Sequence, residues 1–295
     1  MIYAIVIGRD NSRGLPGKNH LKINGMPLMA YPIQAALNSK YVDEVYFSTE
    51  SRRLKYIAEK WGATVIDRPK ELAIDEALSD DVFIHAYEWL IENGSINTYG
   101  DAIALDVDTI RELKKRNIEF LLLMFANSPC VNSWMIDEMI EILRGDPKAD
   151  SICTISLYNM YSPIRMRKFR KDIIYEDVDI VKHEIVENDE SVNINIDVEV
   201  YGDITREETD YVVPYVPEIL EGSTCDRDSG EDSYIYDCSC AIVRPDCIEE
   251  IEDGQLPQRW LGKNILGYKQ TIPAIDIDFK WQLGQLQYWI DTHWY

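Results

Sequence analysis

The sequence predicts an α/β protein with a mostly parallel sheet and helices on both faces. Residues 2–8 and 120–127 are apolar runs with the length of buried strands, and residues 42–49 are strand-like. Segments with helical spacing alternate with such strands, which favours parallel order because a crossover helix returns the chain to the same edge of the sheet. From about residue 158 the pattern changes to short β-like pieces, which predicts an inserted β-rich arm.

The predicted elements follow in a regular order. The strands are 2–8, 42–49, 63–67, 120–127 and 150–157, and the helices are 27–39, 51–61, 80–91 and 133–143. Ser51 is a candidate cap for the second helix. We divide the chain into a first core part (1–157), the arm (158–235) and a final core part (236–295).

The acidity of the chain is concentrated in one region. The net charge is −22, and residues 172–237 alone hold 21 acidic against 3 basic residues. A solvated anionic insert explains this better than a uniformly acidic surface, and its simplest role is a solubilising face. A nucleic acid partner is not expected, because binding a phosphate backbone needs a concentrated excess of positive charge.

Other sequence features limit the protein class. No apolar run is long enough to span a bilayer, and the chain enters its first strand without a basic and apolar leader, so we predict a cytoplasmic protein with no membrane partner. Six scattered cysteines lack paired metal-binding spacing. We therefore expect reduced thiols and no zinc site.

A glycine-rich loop after the first strand is the strongest functional feature. Gly8, Gly14 and Gly17 allow the backbone to approach a ligand closely, and residues 8–19 hold three cations and one anion. The polar side chains are Arg9, Ser12, Arg13, Lys18 and Asn19. The spacing matches neither a Walker A loop nor a dinucleotide fingerprint. We predict phosphate binding; a simple polar turn would leave three cations without partners.

A second feature is the segment Ile275-Asp276-Ile277-Asp278. Alternation along an extended segment sends both carboxylates to one face, as in a pair of metal ligands. Mg²⁺ on a triphosphate needs only one or two carboxylates besides phosphate oxygens, so Asp276 and Asp278 are enough for Mg²⁺ or Mn²⁺. The alternative is that both are surface residues that cap the following helix.

These motifs resemble those of the acylneuraminate cytidylyltransferase family, the CMP-sialic acid synthetases and their relatives. The resemblance rests on R-D-N-S-R-G-L-P-G-K-N at residues 9–19, on Ser48-Thr49, and on R-P-K-E-L-A-I-D at residues 68–75. It covers roughly residues 1–165 and 236–290. It implies a Rossmann-like nucleotidyltransferase sheet, transfer of CMP from CTP to an acidic acceptor with release of pyrophosphate, and a homodimer whose arm covers the neighbour's acceptor.

The candidate site residues follow from loop chemistry and from this resemblance. Lys18 and Arg9 are the expected catalytic cations on the triphosphate, and Ser12, Arg13, Gly14 and Asn19 complete the cradle. By resemblance, Asp276 and Asp278 fall on the catalytic metal motif, and Arg68 and Ser79 face the nucleotide. Alternatively, Arg68 pairs with Glu71 or Asp75 to fix its loop.

The chain departs from the family where the acceptor and base are read. Family members commonly have Q-P-T-S-P-L-R after the fourth strand, where this chain has F-A-N-S-P-C-V at residues 125–131. Asn127 can supply a replacement amide on the nucleotide, and Phe125 either stacks on a ligand or packs in the core. A nonulosonic acid (sialic, legionaminic or pseudaminic) is the expected acceptor, with a phosphonate or phosphorylated metabolite as the alternative.

Three cations are candidates for binding an anionic acceptor. Arg165 and Arg167 alternate onto one face of a basic segment, and Lys263 follows a Trp-Leu-Gly sequence. The arginines can instead pair with the acidic arm, and Lys263 can belong to a simple turn. Two other classes stay open: a nucleotide-binding protein without turnover, and a glycosyltransferase with a related sheet.

Overall fold

Seven strands form the central sheet of the larger of two units. The computed structural model describes residues 1–10, 12, 14–74, 77–93, 106–158, 167–181, 199–214 and 232–294. One unit comprises Met1–Leu157 and Tyr234–Tyr295, and the other comprises Tyr158–Ser233. None of the helices in these described ranges combines the length and apolar character that crossing a bilayer requires.

The strands and helices of the larger unit have the following bounds. The strands are β1 (Ile2–Ile7), β2 (Lys22–Ile23), β3 (Met26–Pro27), β4 (Glu44–Thr49), β5 (Thr64–Asp67), β6 (Phe120–Phe125), β7 (Ser151–Leu157), β10 (Tyr234–Val243) and β11 (Ile265–Lys269). The helices are α1 (Ala30–Leu37), α2 (Arg52–Lys60), α3 (Ser79–Asn93), α4 (Val107–Asn117), α5 (Ser133–Gly145), α6 (Asp246–Glu249) and α7 (Leu283–His293). Ser51 caps α2 as predicted, since its side chain accepts a hydrogen bond from the Leu54 amide.

The central sheet confirms the predicted fold class. Its strand order is β11-β7-β10-β6-β1-β4-β5, and every neighbouring pair is parallel except those that include β10. The strands therefore present their carboxyl ends at one edge, where ligands bind in open α/β sheets. β10 is antiparallel and carries a bulge between Tyr236 and Ala241, with Cys238 at φ 59°.

Alternation along the strands creates a core on each face of the sheet. Ala4 and Val6 pack with residues of α1, α2 and α5 on one face. Tyr3 and Ile5 pack with residues of α3 and with Trp260 on the other. β1 and β6 are covered on both faces, so almost all of their residues are apolar.

The smaller unit contains one antiparallel pair, β8 (Arg167–Val181) and β9 (Glu199–Pro214). The register runs from Arg167 opposite Pro214 to Val181 opposite Glu199. The sequence predicted short β-like pieces here. The described strands are longer and pair with each other over most of their length. Most of the piece predicted at 191–200 lies outside the described residues.

Candidate active site

The loop after β1 is shaped by close backbone approach. A Cβ on Gly8 would lie 2.7 Å from Ala126 Cβ, and a Cβ on Gly14 would lie 2.3 Å from the Asp278 carbonyl oxygen. Only glycine fits at either position without moving its neighbour. Gly14 therefore brings the loop directly against the aspartate segment at the other end of the sequence.

Lys18 makes the second contact between these two elements. Its Nζ lies 2.5 Å from Asp278 Oδ1, and its side chain is only 12% exposed. The next residue, Asn19, is buried and its Nδ2 donates to the Arg9 carbonyl oxygen at 2.8 Å. Asn19 thus fixes the loop from inside, while Lys18 reaches the carboxylate.

The aspartate segment, residues 274–278, is held by hydrogen bonds from outside it. The Ile277 amide donates to the Asn127 carbonyl oxygen at 2.8 Å, and Asn127 Nδ2 donates to the Ile277 carbonyl oxygen at 3.2 Å. The Asp278 amide donates to Gln282 Oε1 at 2.7 Å. The Asn127 amide nitrogen, predicted to contact the nucleotide, is therefore engaged by the segment that carries both aspartates.

The two carboxylates have an electrostatic environment that suits a divalent cation. Burial raises the pKa of Asp276 from 3.8 to about 6, with a further contribution from the neighbouring Asp278 carboxylate and an opposing one from Lys18. An all-oxygen pair of this kind matches the donor preference of Mg²⁺. Bound positive charge would offset both the repulsion and the desolvation, so the residues present fit such an ion.

A cavity of about 600 Å³ opens beside these residues at the carboxyl edge of the sheet. Its polar lining residues are Arg9, Ser12, Lys18, Asn19, Arg68, Ser79, Asn127 and Asp278. Its apolar lining includes Leu72, Ile74, Leu78, Val82 and Phe125. The polar lining can thus meet charged phosphates, and the apolar lining can meet a ring or a sugar face.

Phe125 both lines the cavity and packs against the core. Its ring makes an edge contact with Phe83 at 5.8 Å between centroids and a tilted contact with Trp260 at 6.4 Å. Both interpretations of Phe125 from the sequence therefore find support in its position.

Arg68 holds the loop after β1 through a hydrogen bond to its backbone. Its side chain is 4% exposed, and Nη2 donates to the Gly8 carbonyl oxygen at 2.5 Å and to Glu50 Oε2 at 3.0 Å. Desolvation lowers its pKa, and Glu50 opposes that shift. The sequence proposed Glu71 or Asp75 as partners and missed Glu50, although an acidic residue directly after a strand end was a usable signal.

Two further predicted residues lie at the rim. Arg9 Nη1 donates to the Ile74 carbonyl oxygen at 3.0 Å. Ser79 is the first residue of α3, and its hydroxyl contacts Asp80 at 3.4 Å. Both line the same cavity as Lys18.

Of the three candidate acceptor cations, only Lys263 belongs to the described part of the larger unit, and it does not line this cavity. Lys263 precedes β11, at the amino ends of the parallel strands, and its Nζ donates to Asp253 at 2.9 Å. This opposite edge cannot serve an acceptor bound beside Asp278, which corrects the prediction for Lys263. Arg165 lies outside the described residues, as does Arg13 of the loop, and Arg167 begins β8 in the smaller unit.

Comparison with known proteins shows a family match in the first part of the chain. Residues 3–117, which contain the glycine-rich loop and Arg68, match the family model described as Cytidylyltransferase. This part of the chain is similar to the cytidylyltransferase family. This confirms the resemblance found in the sequence.

The chain is similar to several curated proteins over part of its length. It is 44% identical over 85 residues to the N-acylneuraminate cytidylyltransferase of Escherichia coli, covering 29% of the chain and 20% of that protein. It is 38% identical over 88 residues to the pseudaminic acid cytidylyltransferase and UDP-2,4-diacetamido-2,4,6-trideoxy-beta-L-altropyranose hydrolase of Helicobacter pylori, covering 30% and 17%. The chain spans between 17% and 36% of the curated relatives that it matches.

One solved structure has a similar fold. The structure of CMP:2-keto-3-deoxy-manno-octonic acid synthetase complexed with CTP aligns with a TM-score of 0.57 at 13% identity, covering 99% of this chain and 98% of that one. At this identity the likeness concerns the fold.

Proposed function

We propose that the protein transfers CMP from CTP to a hydroxyl group of an acidic acceptor, a nonulosonic acid, and releases pyrophosphate. The observation that carries the proposal is the approach of Lys18 to Asp278 inside one cavity at the carboxyl edge of the sheet. The family-model match over residues 3–117 and the names of the relatives support cytidine as the base and a nonulosonic acid as the acceptor.

The reaction is an in-line displacement at the α-phosphorus of CTP. The acceptor oxygen forms a bond to phosphorus, the bond to the pyrophosphate oxygen breaks, and the acceptor hydroxyl loses its proton to solvent. Lys18 and Arg9 lie where they can offset the negative charge of the triphosphate. Asp276 and Asp278 would hold Mg²⁺ or Mn²⁺, which supplies further charge neutralisation to the phosphates.

The apolar lining offers a place for the less charged parts of the substrates. Leu72, Val82 and Phe125 line the same cavity as Lys18 and Asp278. Burial of a base or a sugar face there would orient CTP, while the loop holds its phosphates. Arg68 contributes indirectly, because it holds the Gly8 carbonyl and hence the loop.

The test is pyrophosphate release by the purified full chain. Each of the four ribonucleoside triphosphates is combined with Mg²⁺ and with a panel of sialic, legionaminic and pseudaminic acids, phosphonates and phosphorylated metabolites. We expect release with CTP and a nonulosonic acid, a CMP-linked product by mass spectrometry, and loss of activity with EDTA that Mg²⁺ restores. Turnover only with a phosphonate or phosphorylated acceptor would replace the acceptor class, and CTP binding without any turnover would contradict the enzyme.

A dimer and a cytoplasmic location belong to the same proposal. Both come from the resemblance and from the sequence. Sedimentation of the full chain tests the dimer, with a monomer at micromolar concentration as the contrary result.

A further inference from the structure

A buried carboxylate lies directly behind the aspartate segment. Asp237 sits at the bulge of β10 and is 5% exposed. Its oxygens accept hydrogen bonds from Thr154 Oγ1 (2.6 Å), Ser156 Oγ (2.6 Å), the Ser239 amide (3.0 Å) and Gln270 Nε2 (3.1 Å). Its recorded partners within the described residues are all neutral groups, which is unusual for a buried acid.

The four donors explain how this carboxylate is tolerated. Burying an ionised carboxylate costs several kcal/mol unless hydrogen bonds replace its water shell. The donors come from β7, from the bulge of β10 and from the end of β11, so the carboxylate ties three neighbouring strands together where the sheet meets the cavity. An ionised carboxylate is acceptor only, so both hydroxyls must donate to it.

That restriction fixes the direction of the Ser156 hydroxyl. With its proton committed to Asp237, Ser156 Oγ presents a lone pair, which accepts the Ala274 amide at 2.9 Å. Ala274 is buried and stands two residues before Asp276. Gln270, another donor to Asp237, also donates to the Cys130 carbonyl oxygen at 3.3 Å, next to the same segment.

We propose that Asp237 and Ser156 are positioning residues that set the placement of Asp276 and Asp278 for metal binding. The inference rests on the proposed function, since it assumes that a divalent cation binds these aspartates. The carboxylate orients the serine hydroxyl, the hydroxyl holds the Ala274 amide, and this amide fixes the start of the segment. Asn127 and Gln282 hold its other end.

The sequence offers a matched pair of variants. Ser156→Ala and Thr154→Val each remove one 2.6 Å hydrogen bond to Asp237, and both side chains are fully buried. Only Ser156 touches the aspartate segment, whereas Thr154 bonds to the backbone of Cys240. A purely structural network would make the two variants alike.

The measurement is the affinity for Mn²⁺ in the presence of CTP, followed by electron paramagnetic resonance, with thermal unfolding of each variant alongside. We expect Ser156→Ala to bind Mn²⁺ about 10- to 100-fold more weakly, the range for residues that orient metal ligands. Thr154→Val should bind it nearly as well as the wild type at a comparable loss of stability. Asp237→Asn, whose amide brings a donor where an acceptor is needed, should resemble Ser156→Ala.

Equal Mn²⁺ affinities for Ser156→Ala, Asp237→Asn and Thr154→Val would overturn the positioning role. The same experiment separates this inference from the proposed function. If the Ser156→Ala defect is found but the wild type releases no pyrophosphate with any acceptor, the positioning role stands and the proposed function fails. A wild type that binds no Mn²⁺ with CTP overturns both.

Discussion

Lys18 Nζ lies 2.5 Å from Asp278 Oδ1, across 260 positions of sequence. The cation expected to meet the triphosphate is thus bonded to a carboxylate expected to hold the metal. When substrate binds, phosphate oxygens must replace Asp278 as the partner of Lys18. A divalent cation must replace Lys18 as the partner of Asp278. Neither exchange is favourable alone, because each leaves one charged group without its partner.

Nucleotide and metal should therefore bind cooperatively. We expect CTP to bind weakly in EDTA and 5- to 150-fold more tightly with Mg²⁺, the usual range of coupling between two ligands. Asp278→Asn should raise the affinity for metal-free CTP and remove most of the Mg²⁺ effect. Calorimetry measures both, with Asp253→Asn as a control that removes a lysine-paired aspartate at the opposite edge. Equal affinities of the wild type with and without Mg²⁺ would refute the coupling.

Loss of the Lys18 ammonium group should slow the chemical step. Lys18→Ala is expected to lower kcat on the order of 100-fold, because an oriented charge in a shielded site contributes a few kcal/mol to the barrier. Lys263→Ala is the matched control, since Lys263 pairs with Asp253 away from the cavity. Steady-state pyrophosphate release compares them. A Lys18 variant with near-normal turnover would remove this residue from the mechanism.

The contact at Gly14 gives a steric prediction. Gly14→Ala places a methyl group 2.3 Å from the Asp278 carbonyl oxygen, so the loop or the aspartate segment must move. We expect a fall in kcat/KM of about 100-fold, as for misplacement of about 1 Å at an active site. Gly284→Ala in α7, with no atom within 4 Å of the new methyl group, should keep full activity and gain up to about 1 kcal/mol in stability. Equal activity of the two variants would argue against a tight contact.

The raised pKa of Asp276 makes stability depend on pH. Its pKa rises from 3.8 to about 6 on folding, so the folded metal-free protein binds the proton more tightly than the unfolded chain does. This contribution to stability is therefore present below about pH 4 and is lost as pH rises through about 6. Asp276→Asn should be more stable than the wild type at pH 8, on the order of 2 kcal/mol, and about equal at pH 4. Urea unfolding in EDTA tests this, and a pH-independent difference would contradict it.

The buried Arg68–Glu50 pair should matter for stability. Glu50→Gln leaves the Arg68 guanidinium buried without its anion, so we expect a loss of about 3 to 5 kcal/mol in the free energy of unfolding. Replacing both residues, Arg68→Met with Glu50→Gln, should recover part of that loss. Denaturant unfolding gives both values. If Glu50→Gln were neutral while Arg68→Met raised only the KM for CTP, Arg68 would be a nucleotide contact instead.

Periodicity and strand-end position made the sheet and its binding edge predictable. β1 and β6 are apolar almost throughout because both faces are covered, and that pattern is visible without structure. The antiparallel course of β10 was not predictable, because a central strand buried on both faces has the same composition in either direction. The structure shows that its reversal places Asp237 behind the aspartate segment.

The partners of individual side chains depend on how the strands and loops are arranged next to each other, which the sequence pattern does not show. Arg68 was expected to contact the nucleotide, with Glu71 or Asp75 as alternative partners; it lines the cavity and pairs with Glu50 after the adjacent strand. Asn127 was expected to contact the nucleotide; it lines the cavity, and its side chain also bonds a strand-like segment 150 positions later. Lys263 was assigned to acceptor binding because of its charge, whereas the direction of β11 puts it at the edge of the sheet opposite the cavity. In each case the residue type was read correctly and its distant partner was decided by topology.

The inserted unit leaves the sheet after Leu157 and returns at Tyr234, and these two residues are paired opposite each other on β7 and β10. A short turn could close that gap, so the sheet does not need the intervening chain to complete its own hydrogen bonding. Such an arrangement makes the insert modular: evolution or an engineer can graft a different appendage onto this scaffold without redesigning its interior.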